Sequence, residues 1–359
     1  MNPYSPKLIA FPPSATVVSP SADWRNGLLV RSTNWLGDAL MTLPAVYQIS
    51  LKVPAGKKTI VLTPGNLAPM WRACPFVDEV VPMAGKHVSH EDVQTVKSFE
   101  PGVAMVLPNS FGSAMDVWKC GVRIRCGRRG RWRGLLLTHR LREWPRGENV
   151  GVCHQLSYYL ELASMLGDVA LKAECPPLNV DESAARELGV EAGSQWLAIA
   201  PGAAFGPAKQ WPGERFADVA KWFARERGRV VIVGGPKESA VAGEIAEQLP
   251  SGTLNLAGKT DLGQLMSVLS ASSYVVANDS GAMHLAAALG KRGVALFGST
   301  DPIATGPIGG RWSLLVADVP CRPCFRRECG FMGEEAYKCL KSLSSEMVIE
   351  ELKMLEADS

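Results

Sequence analysis

A polar turn at residues 278 to 284, Asn-Asp-Ser-Gly-Ala-Met-His, has the residue types of a phosphate-binding site. It follows the apolar run Tyr274 to Ala277, and a second apolar run, Gly293 to Gly298, comes after the next helical stretch. A strand, a turn and a helix in this order direct free backbone N–H groups and the positive end of the helix dipole at one point. A diphosphate is the natural occupant of that point. His284 can touch a sugar or a phosphate there, or it can be a packed or capping residue.

Asp38 is a second candidate, because it lies at the turn after the first strand-like run, Gly27 to Arg31. It is preceded by Gly37, at which the chain can approach a ligand closely. A carboxylate at the end of a strand can act as a general base. The alternative is that Asp38 caps a helix that begins at Ala39.

Lys209 lies in a loop rich in glycine and proline, Pro201-Gly-Ala-Ala-Phe-Gly-Pro-Ala-Lys-Gln-Trp-Pro, after the apolar run Trp196 to Ala200. Lysines in loops are usually solvated, but one that is fixed at a strand end can provide a point charge for phosphate. The sequence contains neither His-Glu-x-x-His nor Asp-x-Asp. It therefore predicts no catalytic metal and no cofactor.

The basic charge is concentrated between residues 119 and 146, which hold nine arginines and one lysine. Trp132, Trp144 and the three leucines 135 to 137 are interleaved with them. One interpretation is a solvated basic loop. The more specific one is a platform for an anionic, partly lipidic acceptor. Nucleic acid is disfavoured, because the charge is local and the net charge of the whole chain is only +3.

Four of the nine cysteines lie near the end of the chain with the spacing C-x2-C-x4-C-x9-C, at Cys321, Cys324, Cys329 and Cys339. The first pair has the spacing of a metal knuckle, so that four thiolates could hold a structural zinc ion. The alternative is a thiol-rich loop without a ligand. The remaining five are scattered, as expected of reduced thiols in a cytoplasmic protein.

Strand-like and helical patterns alternate along the chain, which predicts the α/β class with a parallel sheet wound by helices. In the first half, strands are predicted at 27–31, 58–62, 79–82 and 103–107, and helices at 39–51 and 155–166. The pattern restarts with strands at 196–200, 229–234, 254–257, 274–277 and 293–298, and helices at 214–226, 239–248 and 262–270. Two Rossmann-like units with a ligand cleft at the strand ends follow from this order. No strict Gly-x-Gly-x-x-Gly follows the first strand, which disfavours a dinucleotide.

Four motifs, in order within residues 27 to 355, resemble those of the lipopolysaccharide heptosyltransferases of glycosyltransferase family 9. They are Arg31-Ser-Thr-Asn-Trp-Leu-Gly-Asp-Ala-Leu-Met-Thr-Leu-Pro-Ala, the loop that carries Lys209, the turn at residues 278 to 284, and Leu296-Phe-Gly-Ser-Thr-Asp-Pro. Cys321-Arg-Pro-Cys with Arg327-Glu-Cys is similar to the heptosyltransferase II branch.

The resemblance implies a GT-B fold, in which two Rossmann-like doubly wound domains face a cleft. It implies metal-independent, inverting transfer of heptose from ADP-L-glycero-D-manno-heptose to the first heptose of the lipopolysaccharide inner core. Asp38 would be the general base and Lys209 would bind the diphosphate. The residues that would line the donor are Asp279, Ser280, Gly281 and His284. Alternatives are a family 9 transferase that uses another nucleotide-activated sugar, and a protein that binds a nucleotide sugar without catalysis.

The sequence departs from some relatives at Ala204 and Phe205, where they have two adjacent threonines that bind phosphate. Here backbone N–H groups and Lys209 would have to replace them. Acceptor binding is expected at Arg128, Arg129 and Arg131, and the acceptor is a lipid A-core molecule at the inner-membrane surface.

The expected divisions are a flexible leader (1–25), an acceptor domain (26–175), a connector (176–195), a nucleotide-sugar domain (196–343), and a C-terminal helix with a tail (344–359). No apolar run reaches the roughly 20 residues of a membrane span. The first 25 residues lack the basic start and apolar stretch of a signal peptide. We therefore expect a cytoplasmic protein with, at most, peripheral contact to the inner membrane.

Overall fold

The computed structural model describes residues 4–11, 17–19, 21–142, 152–191 and 193–357. The chain divides into two compact units. The N-terminal unit comprises Lys7–Asn179, and the C-terminal unit comprises Val180–Ser359 together with Met1–Pro6. Trp144 and Arg146 of the arginine-rich stretch lie outside the described residues.

The N-terminal unit is built on a six-stranded parallel sheet with the order β3-β2-β1-β4-β5-β6. Its strands are β1 (Gly27–Arg31), β2 (Lys58–Pro64), β3 (Glu79–Met83), β4 (Val103–Val106), β5 (Ile124–Arg128) and β6 (His139–Leu141). Its helices are α1 (Leu36–Ser50), α2 (Ala68–Arg72), α3 (His90–Ser98), α4 (Phe111–Lys119) and α5 (Leu156–Ala163). Every residue of β1 and β4 is buried, which explains their continuous apolar runs, since helices cover both faces of such a sheet.

The C-terminal unit repeats this topology with the order β12-β11-β10-β7-β8-β9. Its strands are β7 (Trp196–Ala200), β8 (Arg229–Ile232), β9 (Leu254–Asn255), β10 (Tyr274–Asn278), β11 (Arg292–Phe297) and β12 (Arg311–Val316). Its helices are α6 (Ser183–Glu187), α7 (Gly213–Glu226), α8 (Ser239–Ala246), α9 (Leu262–Ala271), α10 (Gly281–Ala288), α11 (Pro302–Thr305), α12 (Lys338–Lys341) and α13 (Ser345–Ala357). The apolar face of α13, with Val348, Leu352 and Leu355, packs into the core of this unit.

In both sheets the strand order reverses between two neighbouring central strands. The reversal lies between β1 and β4 in the N-terminal unit and between β7 and β10 in the C-terminal unit. The loops that leave these strands diverge to opposite faces of the sheet, so a crevice opens beyond their carboxyl ends, which is where ligands bind in open α/β sheets. Asp38 follows β1, Lys209 follows β7 and Asp279 follows β10.

The arginine-rich stretch is structured where it is described, which the sequence did not predict. It contains β5 and β6, the two strands at one edge of the N-terminal sheet. The interpretation as a solvated loop is wrong for Arg128 and Arg133, since both side chains are fully buried. The strand β12 was also missed. It is an edge strand in which only Trp312 and Leu315 are buried, so it shows neither the continuous burial of a central strand nor a strict alternation.

Some described residues of the leader contact the rest of the chain. Val18 and Trp24 are buried. The Tyr4 hydroxyl donates to the carbonyl oxygen of Pro302 at 2.7 Å, within the C-terminal unit. None of the helices in the described part of the chain is long and apolar enough to cross a membrane.

Candidate active site

Asp38 lines a cavity of about 600 Å³ that lies entirely within the N-terminal unit. The walls come from the segments that follow β1 and β4 and from the start of α5. The lining residues are Thr33, Asn34, Trp35, Asp38, Leu107, Pro108, Asn109, Ser110, Arg131, Cys153, His154, Gln155, Tyr158 and Tyr159. The cavity is therefore at the reversal of strand order, and Asp38 is a half-buried carboxylate in its wall.

The structure excludes the alternative that Asp38 caps the helix. Helix α1 begins at Leu36 and its N-cap is Trp35, so Asp38 is the third helical residue. A carboxylate in the first turn of a helix is stabilised by the helix dipole. The Nε2 atom of Gln155 donates to Asp38 Oδ1 at 3.4 Å and to the hydroxyl of Tyr159 at 3.0 Å. Burial and the charge of Asp38 raise the pKa of Tyr159, so that this phenol stays neutral beside the carboxylate.

Arg31, the last residue of β1, holds the segment that leads to Asp38. Its side chain is fully buried, and Nε lies 3.2 Å from Asp116 Oδ2. Nη1 donates to the carbonyl oxygen of Ser32 at 2.6 Å and Nη2 donates to Asn34 Oδ1 at 2.9 Å. The guanidinium thus bridges α4 and the loop after β1. This role is not visible in the sequence, because the partner Asp116 lies 85 residues away.

The three arginines expected to bind the acceptor have different environments. Arg128 is buried, with Nη2 at 2.5 Å from Glu161 Oε2 and Cζ at 4.2 Å from the ring centroid of Tyr158. Its charge is already compensated within the unit, so we revise the prediction that Arg128 contacts the acceptor. Arg129 and Arg131 are exposed, and Arg131 is in the wall of the Asp38 cavity.

The turn that places Arg131 also exposes apolar surface beside it. Arg131 and Trp132 have φ angles of 48° and 62°, which non-glycine residues adopt only where the surrounding structure imposes it. Trp132 and Leu135 are each 85% exposed. Exposed large apolar side chains beside arginines are the combination that suits a charged lipid surface.

Lys209 and Asp279 form a nearly buried ion pair at the carboxyl ends of β7 and β10. The Nζ atom of Lys209 lies 2.5 Å from Asp279 Oδ2, and the hydroxyl of Thr300 donates to the same oxygen at 2.5 Å. His284 Nε2 lies 4.0 Å from Asp279 Oδ1. Lys209 is therefore not a solvated loop residue. Thr300, which follows β11, joins the site although the sequence analysis did not single it out.

Asn278, the last residue of β10, holds the loop that carries Lys209. Its Nδ2 atom donates to the carbonyl oxygen of Pro201 at 2.7 Å. Its Oδ1 atom accepts from the backbone N–H of Trp211 at 3.0 Å. One buried amide therefore closes both ends of the loop, which limits the positions that Lys209 can take.

The first turn of α10 faces the same loops. Ser280 is the N-cap residue, and its side chain makes no capping hydrogen bond. Its Oγ atom is buried and has no hydrogen-bond partner among the described residues. With Gly281 it supplies a hydroxyl and free backbone N–H groups at the positive end of the helix. His284, at the end of the first turn, is buried, and its Nε2 atom faces Asp279 Oδ1 at 4.0 Å.

Glu238 is a further carboxylate that the sequence analysis missed. It follows β8, and a Cβ atom added to Gly202 would lie 2.1 Å from its Cγ atom, so the side chain lies directly on the loop after β7. In Rossmann-like folds, the acidic residue after the second strand of the unit accepts hydrogen bonds from ribose hydroxyls. Glu238 has the corresponding place in the C-terminal unit.

Cys321, Cys324, Cys329 and Cys339 line one cavity of about 320 Å³ in the C-terminal unit. Burial and the neighbouring thiols raise the pKa of Cys339. In the described part of the chain, no three cysteine, histidine or acidic side chains are grouped closely enough to hold a metal ion.

Comparison with protein families finds a match over residues 93–333 to the model of glycosyltransferase family 9 (heptosyltransferase). The chain is 29% identical to lipopolysaccharide heptosyltransferase 2 of Escherichia coli (strain K12), over 91% of this chain and 98% of the relative. It is 31% identical to lipopolysaccharide heptosyltransferase 2 of Salmonella typhimurium (strain LT2), over 78% of this chain and 85% of the relative.

Among solved structures, the fold is similar to that of the Escherichia coli ADP-heptose lipopolysaccharide heptosyltransferase II. The TM-score is 0.76 at 27% sequence identity, and the match covers 92% of this chain and 99% of the other. Together with the two six-stranded parallel sheets, this match confirms the predicted α/β class and the GT-B type of fold.

Proposed function

Since this chain belongs to glycosyltransferase family 9, the heptosyltransferases, we propose that it transfers heptose from ADP-L-glycero-D-manno-heptose to the first heptose of the lipopolysaccharide inner core. The relatives named heptosyltransferase 2 support this step over other steps of core assembly. The observation that carries the proposal is the Lys209–Asp279 pair beside the N-terminus of α10. It is a fixed cation next to free N–H groups, as a diphosphate leaving group requires.

The donor half of the reaction follows from the charges in the C-terminal unit. When the bond from the anomeric carbon to the diphosphate oxygen breaks, its electron pair stays on ADP. Lys209, the Ser280 hydroxyl and the N-terminus of α10 would stabilise that charge. Asp279 is itself negative, so its role is to hold Lys209 and not to contact the phosphates. Glu238 would accept hydrogen bonds from the ribose.

The acceptor half requires a base for the attacking hydroxyl. The acceptor oxygen forms the new bond to the anomeric carbon, and its proton passes to the carboxylate of Asp38. Inversion requires attack on the face of the sugar opposite to the leaving group, and in this proposal the base comes from one unit and the cation from the other. The cavity beside Asp38 would receive the inner-core sugar, and Arg129 and Arg131 would bind its phosphates.

The decisive assay is incubation of the protein with ADP-heptose and a core acceptor truncated after one heptose. We expect mass spectrometry to show the addition of one heptose to that acceptor. Transfer only from another nucleotide-activated sugar would replace the donor in the proposal. Binding of ADP-heptose without transfer to this acceptor, or to one that lacks heptose, would favour the non-catalytic alternative.

We expect transfer to survive EDTA, because Lys209 and the N-terminus of α10 already supply positive charge to the leaving group. The measurement is the initial rate with EDTA, then after MgCl2 is added in excess of the chelator. A rate that collapses in EDTA and returns with magnesium would show that the ion, and not the protein, carries the leaving-group charge.

Replacing Arg129 and Arg131 together by serine should raise the acceptor KM about tenfold or more and leave the donor KM nearly constant, because both guanidinium groups are exposed and Arg131 lines the Asp38 cavity. The salt dependence of the acceptor KM should also decrease, since exposed charges are screened by salt.

The matched control replaces Arg25 and Arg123 by serine. These two arginines are also partly exposed, with 45% and 70% of their side chains accessible, but they lie beside the amino ends of β1 and β5. An equal rise of acceptor KM in the control would mean that only the overall charge matters. A rise of donor KM in the Arg129 and Arg131 variant would assign them to the nucleotide.

A further inference from the structure

The cysteine-rich loop, residues 321–330, is attached to the loop that carries Lys209. The carbonyl oxygen of Arg327 accepts from the backbone N–H of Ala208 at 3.0 Å. A Cβ atom added to Gly206, which has a φ of 148°, would lie 2.6 Å from that same carbonyl oxygen. Glycine is therefore required at position 206 for this close approach.

Two further hydrogen bonds fix the cysteine-rich loop beside Thr300, the residue whose hydroxyl donates to Asp279. The backbone N–H of Phe325 donates to the carbonyl oxygen of Ser299 at 2.8 Å. The side chain of Arg322 donates through Nη2 to the carbonyl oxygen of Thr300 at 2.8 Å. The loop is thus bonded to both segments that hold the Lys209–Asp279 pair, although it lies more than a hundred residues from Lys209 in sequence.

The attachment places the side chain of Arg327 close to Lys209. The Cζ atom of Arg327 lies 5.5 Å from the ring centroid of Phe205, and Lys209 Nζ lies 4.9 Å from the same centroid. Arg327 is exposed, and its guanidinium forms no ion pair with a carboxylate of the described residues. One aromatic ring therefore orients two cations, of which only Lys209 is ion-paired.

The negative charge of a bound diphosphate would exceed what the ion-paired Lys209 can compensate, so a second cation is expected in the donor site. Asp279 neutralises much of the charge of Lys209, because the pair is nearly buried at 2.5 Å. A diphosphate already carries more than one negative charge and gains another as the glycosidic bond breaks. Ala204 and Phe205 add no hydroxyl group to the loop. Guanidinium binds phosphate oxygens through two parallel N–H donors, which makes Arg327 well suited to the missing contact.

We propose that Arg327, delivered by the cysteine-rich loop and oriented on Phe205, binds the diphosphate of the donor together with Lys209. This rests on the proposed use of an ADP-sugar. The guanidinium donates hydrogen bonds to the phosphate oxygens. Its positive charge then adds to that of the ion-paired Lys209.

The test is calorimetric binding of ADP and of adenosine to the full-length protein with Arg327→Ala, Arg327→Lys and Arg326→Ala. Arg327→Ala should weaken ADP binding about tenfold or more, the usual effect of losing a charge-assisted hydrogen bond, and leave adenosine binding unchanged. Arg327→Lys should restore most of the loss, because it keeps the charge. Arg326→Ala is the matched control, since Arg326 is an exposed neighbour in the same loop, whereas the cation–π contact with Phe205 is made by Arg327.

Three results would overturn the inference. Unchanged ADP affinity in Arg327→Ala would remove Arg327 from the site. An equal loss for adenosine would place it on the nucleoside, and an equal loss in Arg326→Ala would show only an effect of net charge. If the parent protein neither binds ADP nor transfers heptose, the proposed function fails. If it does both and Arg327→Ala matches it, only the inference about Arg327 fails.

Discussion

Asp38→Asn is expected to lower the rate of heptose transfer by a factor of about 10² to 10⁴, the usual contribution of a general base. Asparagine has nearly the same shape as aspartate and can still accept from Gln155, whose Nε2 atom lies 3.4 Å from Asp38 Oδ1. It cannot take the proton of the acceptor hydroxyl. Donor binding should be unchanged, because the donor residues lie in the other unit. The measurement is kcat with ADP-heptose and the one-heptose acceptor, together with the Kd for ADP.

The matched control is Asp168→Asn, which makes the same chemical change at an exposed aspartate outside the Asp38 cavity. It should transfer heptose at the parental rate. A parental rate in Asp38→Asn would exclude Asp38 as the base. An unfolded variant is recognised by a lower Tm than that of the control, and it would then be tested again as Asp38→Glu, which keeps the carboxylate but moves it by one methylene group.

Lys209→Ala is expected to lower turnover by a factor of about 10² to 10³, the effect of removing one preorganised donor from a developing negative charge. It should also weaken the binding of ADP. Asp279, whose side chain is only 3% exposed, would remain as a buried carboxylate without its cation, so the diphosphate would meet uncompensated negative charge. Calorimetry with ADP and steady-state kinetics measure the two effects.

Two further variants distinguish an effect of Lys209 on phosphate binding from an effect on the stability of the fold. Lys221→Ala removes an exposed lysine of α7 in the same unit and should change neither ADP binding nor turnover. The double variant Lys209→Ala, Asp279→Asn also removes the buried negative charge of Asp279. Its Tm should therefore return toward the parental value, while turnover stays low. Turnover that recovers along with Tm would mean that Lys209 acts on the fold and not on the phosphates.

The sequence by itself determined the α/β class, the two repeated units and most of the strands that carry the site. The reason is that a parallel sheet covered by helices on both faces requires unbroken apolar strands, and such strands are visible without any tertiary information. The runs Gly27–Arg31 and Trp196–Ala200 were predicted with the bounds that the structure has. The polar turn after Ala277 could also be recognised from local sequence, because serine and glycine directly after a strand indicate where a helix begins.

Tertiary structure alone decided which charged side chains are exposed to a ligand and which are buried in ion pairs. Arg128 and Arg131 are equally basic in sequence, but one is buried against Glu161 and the other lines a cavity. Local sequence cannot distinguish them, because burial depends on the packing of β5 against α5. Likewise, whether Asp38 caps α1 or follows its start depends on only two or three residues at the helix boundary, where local preferences are weak.

The pairings over long separations were equally inaccessible. Lys209 meets Asp279 across 70 residues, and the loop with Arg327 closes on Gly206 from a still more distant part of the chain. Such contacts arise because parallel strands bring their carboxyl ends to one edge of a sheet whatever their order in sequence. The sequence supplied the residue types, and the reversal of strand order between β7 and β10 brought them to one place.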